Sequence, residues 1–432
     1  MTVFISGMRI AGSLLSIAMT IILARSMSAS DFGNLGLLLS VVAVIGVVAN
    51  LGFSQAVITA SNPSNREAYG NAATITKVGL CISVVASMSI ALCMSQLLNV
   101  AGRVEDHDTV ALGEAFVSLS AISYFLGERL RSRNSLLRAA LFGMYGTYGG
   151  LVQTAVMLAI SCWRIHDGHL GLQDAVISLT FGAAACTIGL LWSTRSDLFA
   201  PLSAKSFDCR VWRRLLVLCL SSALSGATIA LRGQILIWIG AALVVPAEFA
   251  SFLAVSRLAA IFSIPVNIMG FTLTPYLIGV PCGDKFERRC QLRQLVSIVT
   301  FAIAPFVVVC CVFHRQIIAI AFGEPNTAAS LSLGLLSINS LIQICMGGSN
   351  QVLLLYGWHR LHLVITIVTT VFGAVAALPL CWAFGANGIG LAGIATIAAY
   401  YLFIAHYTRK RALPVTWLLV RPSRWKFAIT DR

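Results

Sequence analysis

Three arginines, Arg9, Arg232 and Arg257, lie inside strongly apolar segments of the 432-residue chain. A charged side chain at the centre of a bilayer costs about 2.5–3.5 kcal/mol on insertion scales, and such residues mark cavities and functional sites. No Asp or Glu is expected at comparable depth to balance these three. The expected partner is then an anion that the protein handles. Arginine suits that work, because its planar paired donors match phosphate and carboxylate oxygens.

The elements that position these arginines are membrane spans. The chain is 58% hydrophobic and only 11% charged, with mean hydropathy +0.87. Soluble domains carry about 25% charged residues, so the composition is that of a polytopic membrane protein. About 20 apolar residues cross a bilayer as a helix. Segments of that kind are predicted at roughly 4–24, 32–60, 73–98, 110–128, 137–162, 172–193, 215–242, 247–280, 294–313, 328–356, 362–384 and 388–407. The expected fold is an all-α polytopic membrane protein of twelve transmembrane helices. The first segment resembles a signal peptide, but the spans that follow favour a retained helix. Of the 30 Lys and Arg residues, 23 fall in the even-numbered connections and the C-terminal tail. Four fall in the odd-numbered connections and three within spans. The positive-inside rule places both termini in the cytoplasm. The net charge of +14 is therefore topological, and nucleic acid is not an expected partner. The lipid bilayer is, since the basic loops favour anionic headgroups. The twelve cysteines form no C-x-x-C pair and no metal-ligand spacing, so neither a disulfide framework nor a metal site is expected.

A basic, polar stretch, Thr194–Arg214, divides the chain near its midpoint. It predicts an N-terminal six-helix lobe over 1–205 and a C-terminal six-helix lobe with a short basic tail over 206–432. The two halves echo each other. Asp31-Phe32-Gly33 opens the second segment and Glu248-Phe249-Ala250 opens the eighth. A carboxylate suits a helix N-terminus, and parallel repeats are common among transporters.

The stretch Ile22-Leu23-Ala24-Arg25-Ser26-Met27-Ser28-Ala29-Ser30-Asp31-Phe32-Gly33, running on to Asn50-Leu51-Gly52, resembles the opening of Wzx-type polysaccharide and O-antigen flippases. These belong to the multidrug/oligosaccharidyl-lipid/polysaccharide exporter superfamily. Glu248-Phe249-Ala250-Ser251-Phe252 with Ser256-Arg257-Leu258, and Gly385-Ala386-Asn387-Gly388-Ile389-Gly390, fit the same pattern. One departure is Arg232-Gly233-Gln234, where relatives often carry an acidic residue. The resemblance implies two lobes around a central cavity. It implies alternating-access transfer of an undecaprenyl-pyrophosphate-linked oligosaccharide from the cytoplasmic to the periplasmic leaflet of the bacterial inner membrane. It also implies a polysaccharide polymerase and a chain-length regulator as partners.

Arg232 precedes the turn between the seventh and eighth segments by about ten residues, and Arg257 follows it by about ten. At 1.5 Å per residue each is roughly 15 Å deep. Such a pair could hold a pyrophosphate, with bonding to backbone carbonyls as its structural alternative. Arg9 is shallower and either meets the incoming phosphate or snorkels to the interface. Asn50, Gln55, Asn267, Asn339 and Gln343 are candidates for sugar hydroxyls, as is Gln153. Helix–helix hydrogen bonds are their alternative use. Tyr124, Tyr145 and Tyr148 could stack on sugars or anchor at the interface. Glu128, beside Arg129, is the candidate for proton coupling, with a local ion pair as its alternative.

Catalytic machinery is not evident. The lysines follow Thr76, Ala204, Asp284, Arg409 and Trp425, so no Gly-Lys pair exists to build a phosphate-cradling loop. Asp106-His107-Asp108 and His166-Asp167-Gly168-His169 with Asp174 read as solvated loops. No cofactor is expected. Two alternatives stand beside the flippase. One is a multidrug or cation antiporter of the same superfamily, which calls for a membrane acid. The other is a membrane glycosyltransferase or polysaccharide polymerase, which calls for a large periplasmic loop.

Overall fold

The computed structural model of the chain describes residues 2–52, 72–100, 107–131, 145, 151–166, 170–198, 209–262, 264, 285–322, 327–346 and 359–410. Every element among them is helical. In order they are α1 (Thr2–Ser26), α2 (Ala29–Val48), α3 (Ala72–Val100), α4 (His107–Arg131), α5 (Leu151–His166), α6 (Leu172–Leu198) and α7 (Cys209–Leu243). Then come α8 (Pro246–Ala259) with a 3-10 turn at Ala260–Phe262, α9 (Lys285–Val312), α10 (His314–Phe322), α11 (Thr327–Cys345), α12 (His359–Phe384) and α13 (Ala386–Lys410). By length and composition six of these carry an apolar stretch able to cross a membrane: Ala29–Val48, Thr109–Gly127, Leu172–Ser196, Ala223–Leu243, Leu361–Phe384 and Ala386–Tyr407. The bent pair of α9 and α10 adds a seventh if it counts as one span.

The burial pattern is that of a lipid-facing bundle. On α12 the buried positions include Thr366, Thr369, Thr370, Ala377 and Cys381, whereas Val371, Val375, Leu378 and Trp382 are exposed. Small and hydroxylic residues line the seam and large apolar ones face outward. This is how helices pack when the solvent is hydrocarbon. The buried hydroxyls are satisfied locally: Thr366 donates to the His362 carbonyl at 2.7 Å and Thr370 to the Thr366 carbonyl at 2.7 Å.

The chain forms two compact units, Met1–Trp238 and Ile239–Arg432. In the first, hydroxyl pairs join helices across the seams. Ser123 and Thr187 join α4 to α6 at 2.7 Å. Ser161 donates to Ser178 at 3.3 Å between α5 and α6. The turn between those helices is closed by Asp174, which pairs with Arg164 at 3.3 Å and accepts from the Gly171 N–H at 3.2 Å. Asp174 thus serves a structural ion pair, and no group of three metal-ligating side chains occurs among the described residues.

In the second unit the motif residues converge. The Glu248 carboxylate lies over Gly385, whose φ of +54° places it in the left-handed region between α12 and α13; a Cβ there would come within 2.7 Å of Glu248 Oε2. Phe249 and Ile389 close over Gly240. Ser332 on α11 donates to Asn387 Oδ1 at 2.9 Å. The acidic residue and Phe that open α8, and the Gly385–Gly390 stretch, therefore bring the ends of five helices together: α7, α8, α11, α12 and α13. α2 starts differently, because Asp31 faces the Ser28 cap, whose Oγ accepts from the Asp31 N–H at 3.1 Å.

The structure differs from the sequence expectation after Val312. In place of a loop, the chain turns by 80° into α10. Ile318 is buried against Val255, Ala259 and Leu333, while Arg315, Gln316 and Ile320 stay exposed. One apolar side and one polar end suffice for a short helix laid across its neighbours, a pattern too brief to stand out among spans.

Candidate functional site

Arg232 sits near the middle of the apolar stretch Ala223–Leu243 of α7 and is partly buried. Three contacts hold that helix along α2 in the first unit. Trp238 Nε1 donates to Ser40 Oγ at 2.8 Å. Gly226 faces Val47, where a Cβ would meet Val47 Cγ1 at 3.1 Å. Gly52, at φ +74°, brings its turn against α7, where a Cβ would lie 2.8 Å from the Cys219 carbonyl carbon and 2.9 Å from the Ala223 nitrogen. Only glycine combines that conformation with so close an approach. The Asn50-Leu51-Gly52 stretch of the sequence motif, expected inside the helical span 32–60, instead forms a turn after α2 ends at Val48, and that turn packs on the helix that carries Arg232.

Arg257 occupies the last turn of α8 and is exposed. Val255 and Ala259 on either side of it are buried against Ile318 and Leu333, so Arg257 projects from the other side of the helix. A cation in a last turn also suits the helix dipole. The change to 3-10 at Ala260–Phe262 falls where the sequence approaches Pro265, which cannot donate to the Ile261 carbonyl.

The uncharged candidates divide. Asn50 is buried; its Nδ2 donates to the Gly46 carbonyl and its Oδ1 accepts from Ser83 Oγ at 2.9 Å. Both ends work within the bundle, the helix–helix use foreseen for it. Asn339 and Gln343 lie partly buried on one side of α11. Asn339 follows Ser332 by seven residues, hence on the side that meets α13, and its Oδ1 is buried with no hydrogen-bond partner. Gln153 is buried beside Gly182, where its carbonyl oxygen would lie 2.9 Å from an added Cβ. The Tyr145 ring packs on Gly189, which fills space rather than presenting a stacking surface. Gln55, Asn267 and Tyr148 lie outside the described residues. Arg9 falls within α1 and Glu128 within α4, and the side chains of both lie outside what the structure describes.

Sequence reasoning missed one carboxylate. Glu114 falls within the segment predicted at 110–128 but is not weighed there as a membrane carboxylate; it lies in the apolar stretch Thr109–Gly127 of α4 and is partly buried. The buried residues Phe116, Val117, Ser120 and Ala121 follow it on the same helix.

Comparison with known proteins agrees with this architecture. Residues 22–195 match the family model described as polysaccharide biosynthesis protein. No curated protein matches the chain by sequence. Among solved structures, an inward-facing multidrug resistance MATE family transporter of the MOP superfamily has a TM-score of 0.68 at 14% identity, covering 93% of this chain and 94% of that one. A mutant of the Vibrio cholerae MATE transporter VcmN has a TM-score of 0.67 at 18% identity, covering 94% and 96%. An outward-facing MATE transporter gives 0.65 at 14%, covering 95% of each chain. Residues 22–195 thus resemble a polysaccharide-biosynthesis family model, and the fold of the chain is similar to that of MATE transporters.

Proposed function

We propose that the protein is a flippase for a lipid-linked oligosaccharide, moving an undecaprenyl-pyrophosphate carrier from the cytoplasmic to the periplasmic leaflet for surface polysaccharide synthesis. The observation that carries this reading is Arg232, a cation in the centre of an apolar stretch, on a chain whose family match is to polysaccharide biosynthesis. The retained charge is what a pyrophosphate-bearing cargo requires, since charge-assisted bonds to phosphate are strong and geometrically specific. Arg257 and Arg9 are further candidates for phosphate. Asn339 and Gln343 are candidates for sugar hydroxyls, Asn339 offering a buried carbonyl oxygen. Twelve spans in two six-helix lobes divided near residue 205, with both termini cytoplasmic, complete the proposal. The partners are the polymerase and chain-length regulator of the same polysaccharide, in the bacterial inner membrane. Energy comes from a gradient or substrate supply, in keeping with a secondary transporter.

A second reading, a multidrug or cation antiporter, is favoured by Glu114, a carboxylate within an apolar span. Cells carrying Arg232→Ala or Glu114→Gln at matched protein levels separate the two. The flippase reading expects surface polysaccharide to fall in the Arg232 variant and lipophilic-cation resistance to be unaffected by either. Unchanged polysaccharide in Arg232→Ala, with lost resistance in Glu114→Gln, would overturn it.

A further inference from the structure

One exposed surface takes no part in the cargo reading. The first turns of α7 have two unlike sides. Leu215 and Cys219 are buried, and the Gly52 turn packs against Cys219 and Ala223. On the other side Leu216, Val217, Leu220 and Leu224 are exposed, Leu220 to 73%. Positions 213, 217, 220 and 224 recur at helical spacing, so they and Leu216 form one stripe along the helix. Arg213 stands exposed at its head, with Arg214 exposed beside it. Arg210, also exposed, lies one turn before them. The sequence from Asp208 to Ser222 holds these three arginines and one acid, a net charge of +2. Asp208 itself lies outside the described residues.

We infer that this stripe is a docking site for an anionic phospholipid, with the phosphate at Arg213 and Arg214 and the acyl chains along Leu216, Val217, Leu220 and Leu224. Two lengths agree with it. From Arg213 to Leu224 the helix rises about 16 Å, which matches one leaflet of a hydrocarbon core about 30 Å thick. From Arg213 to Leu243 it rises about 45 Å, the thickness of a bilayer with its headgroups. The arginines therefore stand at headgroup level when the far end of α7 reaches the opposite surface. Guanidinium groups meet phosphate oxygens through paired, charge-assisted hydrogen bonds, and basic groups at a membrane surface attract anionic lipids. A zwitterionic headgroup brings its own cation, which the arginines repel. On α6, exposed Ile188 and Trp192 also lead to an arginine, but Arg195 stacks on Trp192 at 4.3 Å, so its charge is met within its own helix. Held by Arg213 and Arg214, the lipid phosphate anchors one end of the helix that carries Arg232. The site thereby ties transport to lipid composition, and it does not depend on the identity of the cargo.

The test is photolabelling of the purified full chain in nanodiscs, without cargo, by phosphatidylglycerol with a diazirine in one acyl chain. Phosphatidylcholine with the same chain is the reference, and labelled peptides are mapped by mass spectrometry. Label from phosphatidylglycerol on residues 216–224 should exceed that from phosphatidylcholine about fivefold or more. Arg213→Gln combined with Arg214→Gln should lower it to the phosphatidylcholine level. Arg213→Lys combined with Arg214→Lys keeps the charge and should keep most of the excess, and Arg195→Gln should leave it unchanged. Equal labelling by the two lipids, or an excess that survives in the double Gln variant, overturns the inference. So does the absence of label on 216–224 from either lipid, the result expected if a second copy of the chain or another protein covers the stripe. Because no cargo is present, that failure would leave the flippase reading untouched.

Discussion

α7 and α8 follow one another in the chain and each carries an arginine roughly ten residues from the turn between them, yet they hold those arginines in opposite ways. α7 runs unbroken from Cys209 to Leu243, with Arg232 partly buried near the middle of its apolar stretch. α8 ends at Ala259 and tightens into a 3-10 turn, so Arg257 sits exposed in a terminal turn. A last-turn cation has an ordinary structural account in the helix dipole. A mid-span cation is costlier to hold, and such residues more often mark functional sites. Two residues that look equivalent in sequence are thus unequal, and Arg232 is the stronger candidate for the anion.

Substitutions test that contrast. Replacing Arg232 by Ala should have the largest effect. A charged hydrogen bond contributes about 1.5–3 kcal/mol, so export of lipid-linked oligosaccharide should fall about 10- to 100-fold. Arg232→Lys should recover only part, since the ammonium lacks the paired fork. Next comes the support of α7. Gly52→Ala places a Cβ against the Cys219–Ala223 backbone at a positive φ and should cost about 1–3 kcal/mol, read as a lower midpoint of thermal unfolding in detergent together with reduced export. Trp238→Phe keeps the ring and removes the bond to Ser40. It should cost about 0.5–1.5 kcal/mol in the same unfolding assay. Arg257→Ala should have the smallest effect, about 0.2–1 kcal/mol as for other exposed charges, less than about fivefold in export. Equal losses from the two arginine variants would abolish the distinction drawn between α7 and α8.

The sequence made the all-helical, membrane-spanning class plain because composition and segment length alone carry it. The Asn50-Leu51-Gly52 turn, the Glu248-Phe249 start of α8 and the Gly385–Gly390 stretch were visible as motifs. Their packing role was not, because it depends on which helix lies against each glycine. Glu114 falls within the segment predicted at 110–128, yet its partial burial depends on the packing around α4, which the sequence does not show. α10 escaped because nine residues are too few for a hydropathy window.

The most direct measurement is translocation of a fluorescent undecaprenyl-pyrophosphate-linked oligosaccharide across proteoliposomes containing the purified protein, followed by quenching of label exposed on one leaflet. Transfer by the unmodified protein well above protein-free vesicles, reduced about tenfold or more by Arg232→Ala, is the predicted result. Transfer that the Arg232→Ala protein performs as fast as the unmodified one would contradict the anion role given to Arg232. No transfer by the unmodified protein, combined with uptake of a lipophilic cation that Glu114→Gln abolishes, would replace the flippase with the antiporter.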